Sequence, residues 1–199
     1  MPQLNFILAT NNDFKISELT RELAFFGATG QGYQAVLGRR VAFPPEGTTS
    51  YVANATQKAQ FISQLLPDAL VIADDSGIEL AHRPGELGVQ TARELHAKFG
   101  TPAVNQALIE RAVDPDRGFT MQTVIALARG GELMALYHGQ LTGQIARTPW
   151  PTGHGLDQIL IPAGLTRPLA ALPLPEFVKY DHRSQAVAAL VKGMTQDEA

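Results

Sequence analysis

Apolar residues come first as a short run, Leu4 to Ala9, and then at helical spacing (Phe14, Ile16, Leu19, Leu23, Phe26). This predicts a strand followed by a helix over Asp13–Phe26, capped by Asn12 or Asp13 and ended by Gly27 and Gly30. Val41 to Phe43 reads as a brief strand stopped by Pro44-Pro45. Ser50 is placed to cap a second helix reaching Leu66, closed by Pro67-Asp68. The apolar segment Ala69 to Ala73 predicts a buried strand that ends in Asp74-Asp75, with a turn of small residues after it. Between Gly77 and Gly100 the pattern is irregular, with a short helix near Thr91–Phe99, and Thr101–Val113 is again helical in spacing. Phe119–Ala128 and Leu133–Leu141 predict a hairpin joined through Arg129-Gly130-Gly131-Glu132. Thr148–Gly155 and Pro162–Pro175 are rich in Pro or Gly and read as binding loops. A last helix is expected over Arg183–Val191, before a polar tail. The order of strands and helices predicts an α/β protein with a mixed central sheet and flanking helices.

Composition narrows the function classes. The 199 residues suffice for a proper core. Sixteen Lys and Arg against nineteen Asp and Glu give a formal charge of −3. That balance argues against a nucleic-acid binder and leaves room for a small polyanion held by a few local cations. With no cysteine, thiol nucleophiles, disulfides and thiolate zinc sites are excluded. The N-terminus has no basic region before its apolar run, so it reads as a strand, not a signal peptide. No apolar run approaches the roughly 18 residues of a membrane helix, so a cytoplasmic protein that binds no membrane is expected.

Candidate chemistry begins at Asp74-Asp75. Side chains alternate along extended chain, so the two carboxylates point to different sides and can serve one as a cation ligand and one as a proton acceptor. An acidic turn accounts for the same residues, since Asp, Ser and Gly are ordinary turn formers. At Thr10-Asn11-Asn12-Asp13-Phe14-Lys15 a strand passes into a helix whose free N–H groups attract phosphate. Lys15 opposes the helix dipole, which favours an anionic partner, although a solvated lysine beside an Asn cap fits too. Asn54 and Lys58 share one helix face, and Glu46 precedes that helix where it can reach a cation. A plain amphipathic helix is the competing account. In Gly153-His154-Gly155-Leu156-Asp157 the glycines let backbone approach a flat ligand, and the imidazole could stack on it. His182 and Arg183, at a helix start, offer donors to carbonyls or phosphates. The other histidines show no ligand spacing.

Taken in order, these segments resemble the inosine triphosphatase family of noncanonical purine nucleoside triphosphate pyrophosphatases. Leu8-Ala9-Thr10-Asn11-Asn12-Asp13-Phe14-Lys15 is similar to the family's opening Ala-Thr-Gly-Asn-x-x-Lys, with Asn11 for Gly. Glu46 and Lys58 match its metal-associated glutamate and phosphate lysine, and Ala73-Asp74-Asp75-Ser76-Gly77 matches its Ala-Asp-Asp-Ser-Gly. Gly85-Glu86-Leu87-Gly88-Val89-Gln90-Thr91-Ala92-Arg93 is similar to Gly-x-x-Gly-Val-x-Ser-Ala-Arg, and His182-Arg183 matches the closing His-Arg. Gly143-Gln144-Ile145-Ala146 resembles the strand before the family's Gly-Phe-Gly-Tyr-Asp-Pro loop.

The resemblance implies one domain over residues 1–199 with two lobes around a cleft, and a homodimer. It implies Mg²⁺-dependent (or Mn²⁺-dependent) hydrolysis of a nucleoside triphosphate, such as ITP, dITP or XTP, to the monophosphate and pyrophosphate. Carried over, Glu46 and Asp74 would hold the metal and Asp75 would be the base. Asn12, Lys15 and Lys58 would bind phosphate, with Ser76 and Arg93 nearby and Thr10 also contacting substrate, while His154, Gly155, Asp157, His182 and Arg183 would read the base. His154, Leu156 and Gln158 replace the loop's Phe, Tyr and Pro, and Asp181 replaces the Ser before His-Arg. Ala53 stands at a usually acidic position. Phe177 stands at a family lysine, for which Lys179 is the nearest substitute. The phosphate half of the pattern is kept and the base-reading half is altered, so other bases, or binding without turnover, are the alternatives.

Overall fold

A computed structural model describes residues 3–99 and 103–196. It contains a six-stranded sheet in the order β2-β1-β3-β4-β5-β6 with helices α1 to α7 around it. The chain divides into two compact units, one of Met1–Asp75, Thr123–Gly139 and Arg183–Ala199, the other of Ser76–Gln122 and Gln140–His182.

The first unit begins with β1 (Asn5–Leu8), α1 (Asp13–Phe25), β2 (Thr29–Gly32), α2 (Tyr33–Leu37), α3 (Tyr51–Leu65) and β3 (Leu70–Leu80), of which β3 continues past its boundary. Strand alternation builds its core in two layers. Phe6, Leu8 and Ile72 face Leu19 and Leu23 of α1 together with Ala186, Val187 and Leu190 of α7 (His182–Gln196). Ile7, Ala9, Val71 and Ala73 face Ala55, Ala59 and Ile62 of α3. Each fully buried Leu or Ile contributes about 2 kcal/mol, so both helix layers are bound to the sheet by apolar burial.

β1 pairs in parallel with β2 on one side and β3 on the other, with Leu8 opposite Ile72. The connection to β2 runs through α1 on one face, and the connection to β3 runs through α3 on the opposite face. The chain thus reverses its winding between β1 and β3, and in such sheets ligands bind beyond the carboxyl ends of those two strands. Thr10 to Asp13 and Asp74-Asp75 lie at that edge.

Several sequence expectations are corrected. β3 does not stop at Asp75 but runs to Leu80, with Gly77, Ile78 and Leu80 buried. Sheet pairing overrides the turn preference of Asp, Ser and Gly there. Val41–Phe43 forms no strand: the Val41 N–H and C=O bond to the Tyr33 hydroxyl and the Asn11 amide instead. Thr29–Gly32, too glycine-rich to read as a strand, forms β2 because β1 supplies its register. The Pro-rich segment Pro162–Pro175, expected as a binding loop, contains the start of α6 (Leu174–Tyr180), entered through Pro at its first turn.

The second unit contains α4 (Thr91–Phe99), α5 (Val104–Arg111), β6 (Leu160–Pro162) and α6; β4 (Gly118–Arg129) and β5 (Glu132–Ile145) contribute to both units. The start of the helix expected over Thr101–Val113 falls at Thr101 and Pro102, outside the described residues. The Arg117 guanidinium donates to the carbonyls of Ala112, Ile109 and Ala146, and its Nε to Ile145 (2.9 Å), which ends α5 and ties it to the strand. The β4–β5 turn holds two left-handed glycines, Gly130 and Gly131 (φ 57° and 88°), as a two-residue hairpin requires. A Cβ on Gly143 of β5 would stand 1.9 Å from the Ile161 carbonyl oxygen on β6. Gly143→Ala is therefore expected to cost about 3 kcal/mol through overpacking against backbone; an unchanged thermal midpoint would refute this.

Candidate active site

Alternation along β3 puts Asp74 on the α1/α7 face and Asp75 on the α3 face, as their sequence positions predict. Each carboxylate meets cations from the helices of its own face. Lys15, in the first turn of α1, lies with Nζ 3.0 Å from Asp74 Oδ2. Arg183, in the first turn of α7, donates from Nε to the same oxygen (3.3 Å) and from Nη1 to Glu18 (2.8 Å). Glu18 went unnoticed in the sequence; its signal was its place three residues beyond Lys15, on the same helix face.

On the other face, Asn54 Nδ2 donates to Asp75 Oδ2 (2.9 Å). The Asn54 amide also brackets Gly47, accepting from its N–H and donating to its C=O, which fixes the segment carrying Glu46. One turn along α3, Lys58 Nζ reaches Glu46 Oε1 (2.9 Å), the Asp74 carbonyl (2.7 Å) and Asp75 Oδ1 (3.8 Å). The shared face of Asn54 and Lys58 read from the sequence is therefore a buried, functional-looking one, with Asn54 and Lys58 only 2% and 8% exposed.

Asn12 caps α1, its side chain accepting from the N–H groups of Phe14 and Lys15, while Thr10 Oγ1 accepts from the Asn12 N–H. Thr10 thus shapes the turn. Lys15, read as a cation inviting an anion, is already paired with Asp74.

Burial would raise the pKa of Asp74, but Lys15, Arg183 and Lys58 outweigh it and hold the carboxyl well below the usual range. Asp75 goes the other way: burial pushes it up, and Lys58, Asn54 and Lys15 only partly reverse this, with Glu46 adding to the rise. For Lys58, burial is outweighed by Asp74, Asp75 and Glu46, and its pKa is raised. For Lys15, burial, with Lys58 and Arg183 in support, outweighs the pull of Asp74 and lowers its pKa. Two adjacent carboxylates are driven apart, one a fixed anion and one nearer to proton exchange, which is how acid–base and charge-holding roles are divided.

Among the described residues no group of three or more His, Asp or Glu side chains is arranged to hold a metal. The donors present nonetheless suit Mg²⁺, which takes hard oxygen ligands and uses one or two carboxylates plus substrate phosphate. Asp74 Oδ1 is buried without a hydrogen-bond partner, an oxygen left for a cation.

The remaining candidates lie in the second unit. Ser76 is half-buried on β3, and Arg93 is exposed in the first turn of α4. His154 and Gly155 are exposed, and Asp157 lies in the short helical turn Gly155–Gln158. Asn105 Nδ2 donates to the Gly155 carbonyl (2.8 Å), and Gln158 Nε2 donates to the Trp150 carbonyl (2.9 Å), so both brace this loop. His182 is buried, with Nε2 3.8 Å from Asp181 Oδ1. Phe177 is buried while Lys179 is exposed. Two residues along a helix are about 200° apart, so Lys179 lies on the other side of α6 from Phe177.

No helix among the described residues is long and apolar enough to cross a membrane. The Ham1 family model matches residues 6–193. A dihydroneopterin triphosphate diphosphatase of Limosilactobacillus reuteri is 46% identical, covering 94% of this chain and 96% of that protein. A dITP/XTP pyrophosphatase of Halorhodospira halophila is 30% identical over 98% of this chain and 100% of that protein. The Ham1 protein of Staphylococcus aureus shares the fold, with a TM-score of 0.78 at 23% identity, covering 97% of this chain and 99% of that one. The motifs, the mixed sheet and relatives matching over nearly their whole length agree: the chain belongs to the Ham1 family.

Proposed function

We propose that the chain hydrolyses the α–β anhydride of a triphosphate with a bicyclic, oxo-substituted head, releasing the monophosphate and pyrophosphate. The observation that carries this is the division of labour across β3, where Asp74 is a fixed anion among three cations and Asp75 is raised toward proton exchange. Asp75 accepts the proton of the attacking water as its oxygen bonds to phosphorus and the α–β bridge breaks. Lys15, Lys58 and the α1 N-terminus stabilise charge on the phosphoryl oxygens. Glu46 and Asp74 would hold Mg²⁺ or Mn²⁺, which when bound neutralises phosphate charge and lowers the pKa of water. Arg183 enters this reading as a support of Asp74 and not as a reader of the base. A homodimer in the cytoplasm completes the proposal, and light scattering tests the dimer.

Noncanonical purine triphosphates (ITP, dITP, XTP) are the first substrate class, supported by the dITP/XTP pyrophosphatases among the relatives. A donor to O6 would admit them and leave the amino group of adenine unmatched. A specific observation favours a second head group. The relative named for dihydroneopterin triphosphate is 46% identical, against 30% for the Halorhodospira enzyme, and this chain is altered at His154, Leu156, Gln158 and Phe177. The pterin ring also carries an oxo group on its pyrimidine half. Pyrophosphate release, with and without Mg²⁺, from ITP, XTP, GTP, ATP and dihydroneopterin triphosphate tests both. The ratio of kcat/KM between ITP and the pterin decides the head group. Orthophosphate as the first product would overturn the reaction itself.

A further inference from the structure

The strand-to-helix turn before Lys15 carries Asn11 where the family pattern has glycine, and the side chain is engaged on both ends. Buried Tyr33, at the start of α2, donates from its hydroxyl to Asn11 Oδ1 (2.5 Å). Asn11 Nδ2 donates to the Val41 carbonyl (2.9 Å), and the Val41 N–H donates back to the Tyr33 hydroxyl (2.9 Å). The three residues close a ring of hydrogen bonds, which also sets the orientation of the Asn11 amide; the Tyr33 hydroxyl has a second, longer contact with the Val41 carbonyl (3.3 Å). The same stretch grips the turn on either side. Gln34 Nε2 donates to the Thr10 carbonyl (2.8 Å), and Arg40 takes both oxygens of Asp13 (2.6 and 2.8 Å).

We infer that Asn11 and Tyr33 form a latch that positions the phosphate-binding turn, holding Asn12 and Lys15 at the end of β1 for the triphosphate. The inference rests on the phosphate role proposed above for Lys15 and the α1 N-terminus. Neither latch residue touches the reacting atoms; both act through the turn between them. A glycine at position 11 would remove the short Tyr33 contact and leave the Tyr33 hydroxyl and the Val41 carbonyl only their longer contact with each other (3.3 Å), with nothing tying either to the turn at position 11. The turn would then be ordered by the ligand at the ligand's expense, which lowers affinity more than it lowers the rate once the ligand is bound.

The test compares Asn11→Gly, Tyr33→Phe, the double variant and Lys15→Ala. Binding of inorganic tripolyphosphate is measured by calorimetry, and KM and kcat by pyrophosphate release from the better triphosphate substrate. Each latch variant should weaken tripolyphosphate binding and raise KM about tenfold while kcat stays within about twofold, as expected for the loss of one well-formed positioning contact. The double variant should also lose about tenfold, not a hundredfold, because both changes open one ring. A lower melting temperature with unchanged tripolyphosphate affinity in both single variants would make the ring merely structural and overturn the latch. Independent, multiplying losses would overturn it as well. If Lys15→Ala leaves the affinity unchanged, the phosphate assignment fails and the latch with it. If Lys15→Ala weakens binding and the latch variants do not, the latch alone fails.

Discussion

Asp75→Asn should lower kcat for pyrophosphate release by about a thousandfold, within the range contributed by a positioned general base, while substrate affinity changes only a few-fold. The fold should tolerate the change. The new amide oxygen still accepts from Asn54 Nδ2, and Lys58 keeps its closer partners, Glu46 and the Asp74 carbonyl, in place of an Asp75 contact of 3.8 Å. The pH profile adds an independent check. Because burial raises the carboxyl of Asp75, with Lys58 and Asn54 opposing, the acidic limb of kcat should lie above the ordinary aspartate value of about 3.9. That limb should vanish in the variant. Turnover within tenfold of the parent, or an unchanged limb, would remove Asp75 from the role of base.

Asp74→Asn should destabilise the protein by about 3 kcal/mol, a fall in melting temperature of roughly 10 °C for a chain of this size. Asp74 is 2% exposed and faces Lys15 and Arg183 from two helices, so removing its charge deprives the buried Arg183 and the partly buried Lys15 of their shared counterion. The effect sits at the low end for a broken buried pair because Arg183 retains Glu18. The sign of the pH dependence follows from the depressed carboxyl. Burial raises it, but Lys15, Arg183 and Lys58 prevail, so the native state binds its proton only at lower pH than the unfolded chain does. The stabilising contribution is present above about pH 3.9 and is lost as pH falls toward the native value. The stability gap between parent and variant, from denaturant titrations, should therefore narrow below about pH 4. A gap that is small at pH 7, or that widens in acid, would mean Asp74 is not the anchor of this cluster. The same variant should lose activity, since it removes a proposed metal ligand together with the support of Lys15.

Both predictions concern residues that the sequence already set apart, and the reason is local. Alternation along extended chain depends on nothing beyond the strand itself, so the opposite facing of Asp74 and Asp75 is legible in the sequence. The common face of Asn54 and Lys58 followed in the same way from the helical repeat; the cap at Ser50 was legible from its residue type, while the structure chose Asn12 over Asp13 at the start of α1. The Gly130-Gly131 hairpin was legible because its two positions demand left-handed backbone.

What could not be read is what depends on partners distant in the chain. Arg183 meets Asp74 across 109 positions, and its guanidinium is taken up by carboxylates, a pairing no motif encodes. The extension of β3 through Asp75 to Leu80 went against local turn preference and was decided by its neighbours in the sheet. Val41 had the composition of a strand, yet its backbone groups were claimed by the side chains of Asn11 and Tyr33. The sequence by itself determined which side chains each strand and helix would present, and on which side, because periodicity is a property of the local backbone. Only the tertiary structure decided which charges would meet, because burial and the distances between charges exist once the helices have packed on the sheet. That meeting holds the Asp74 carboxyl well below the usual range, while burial pushes that of Asp75 up.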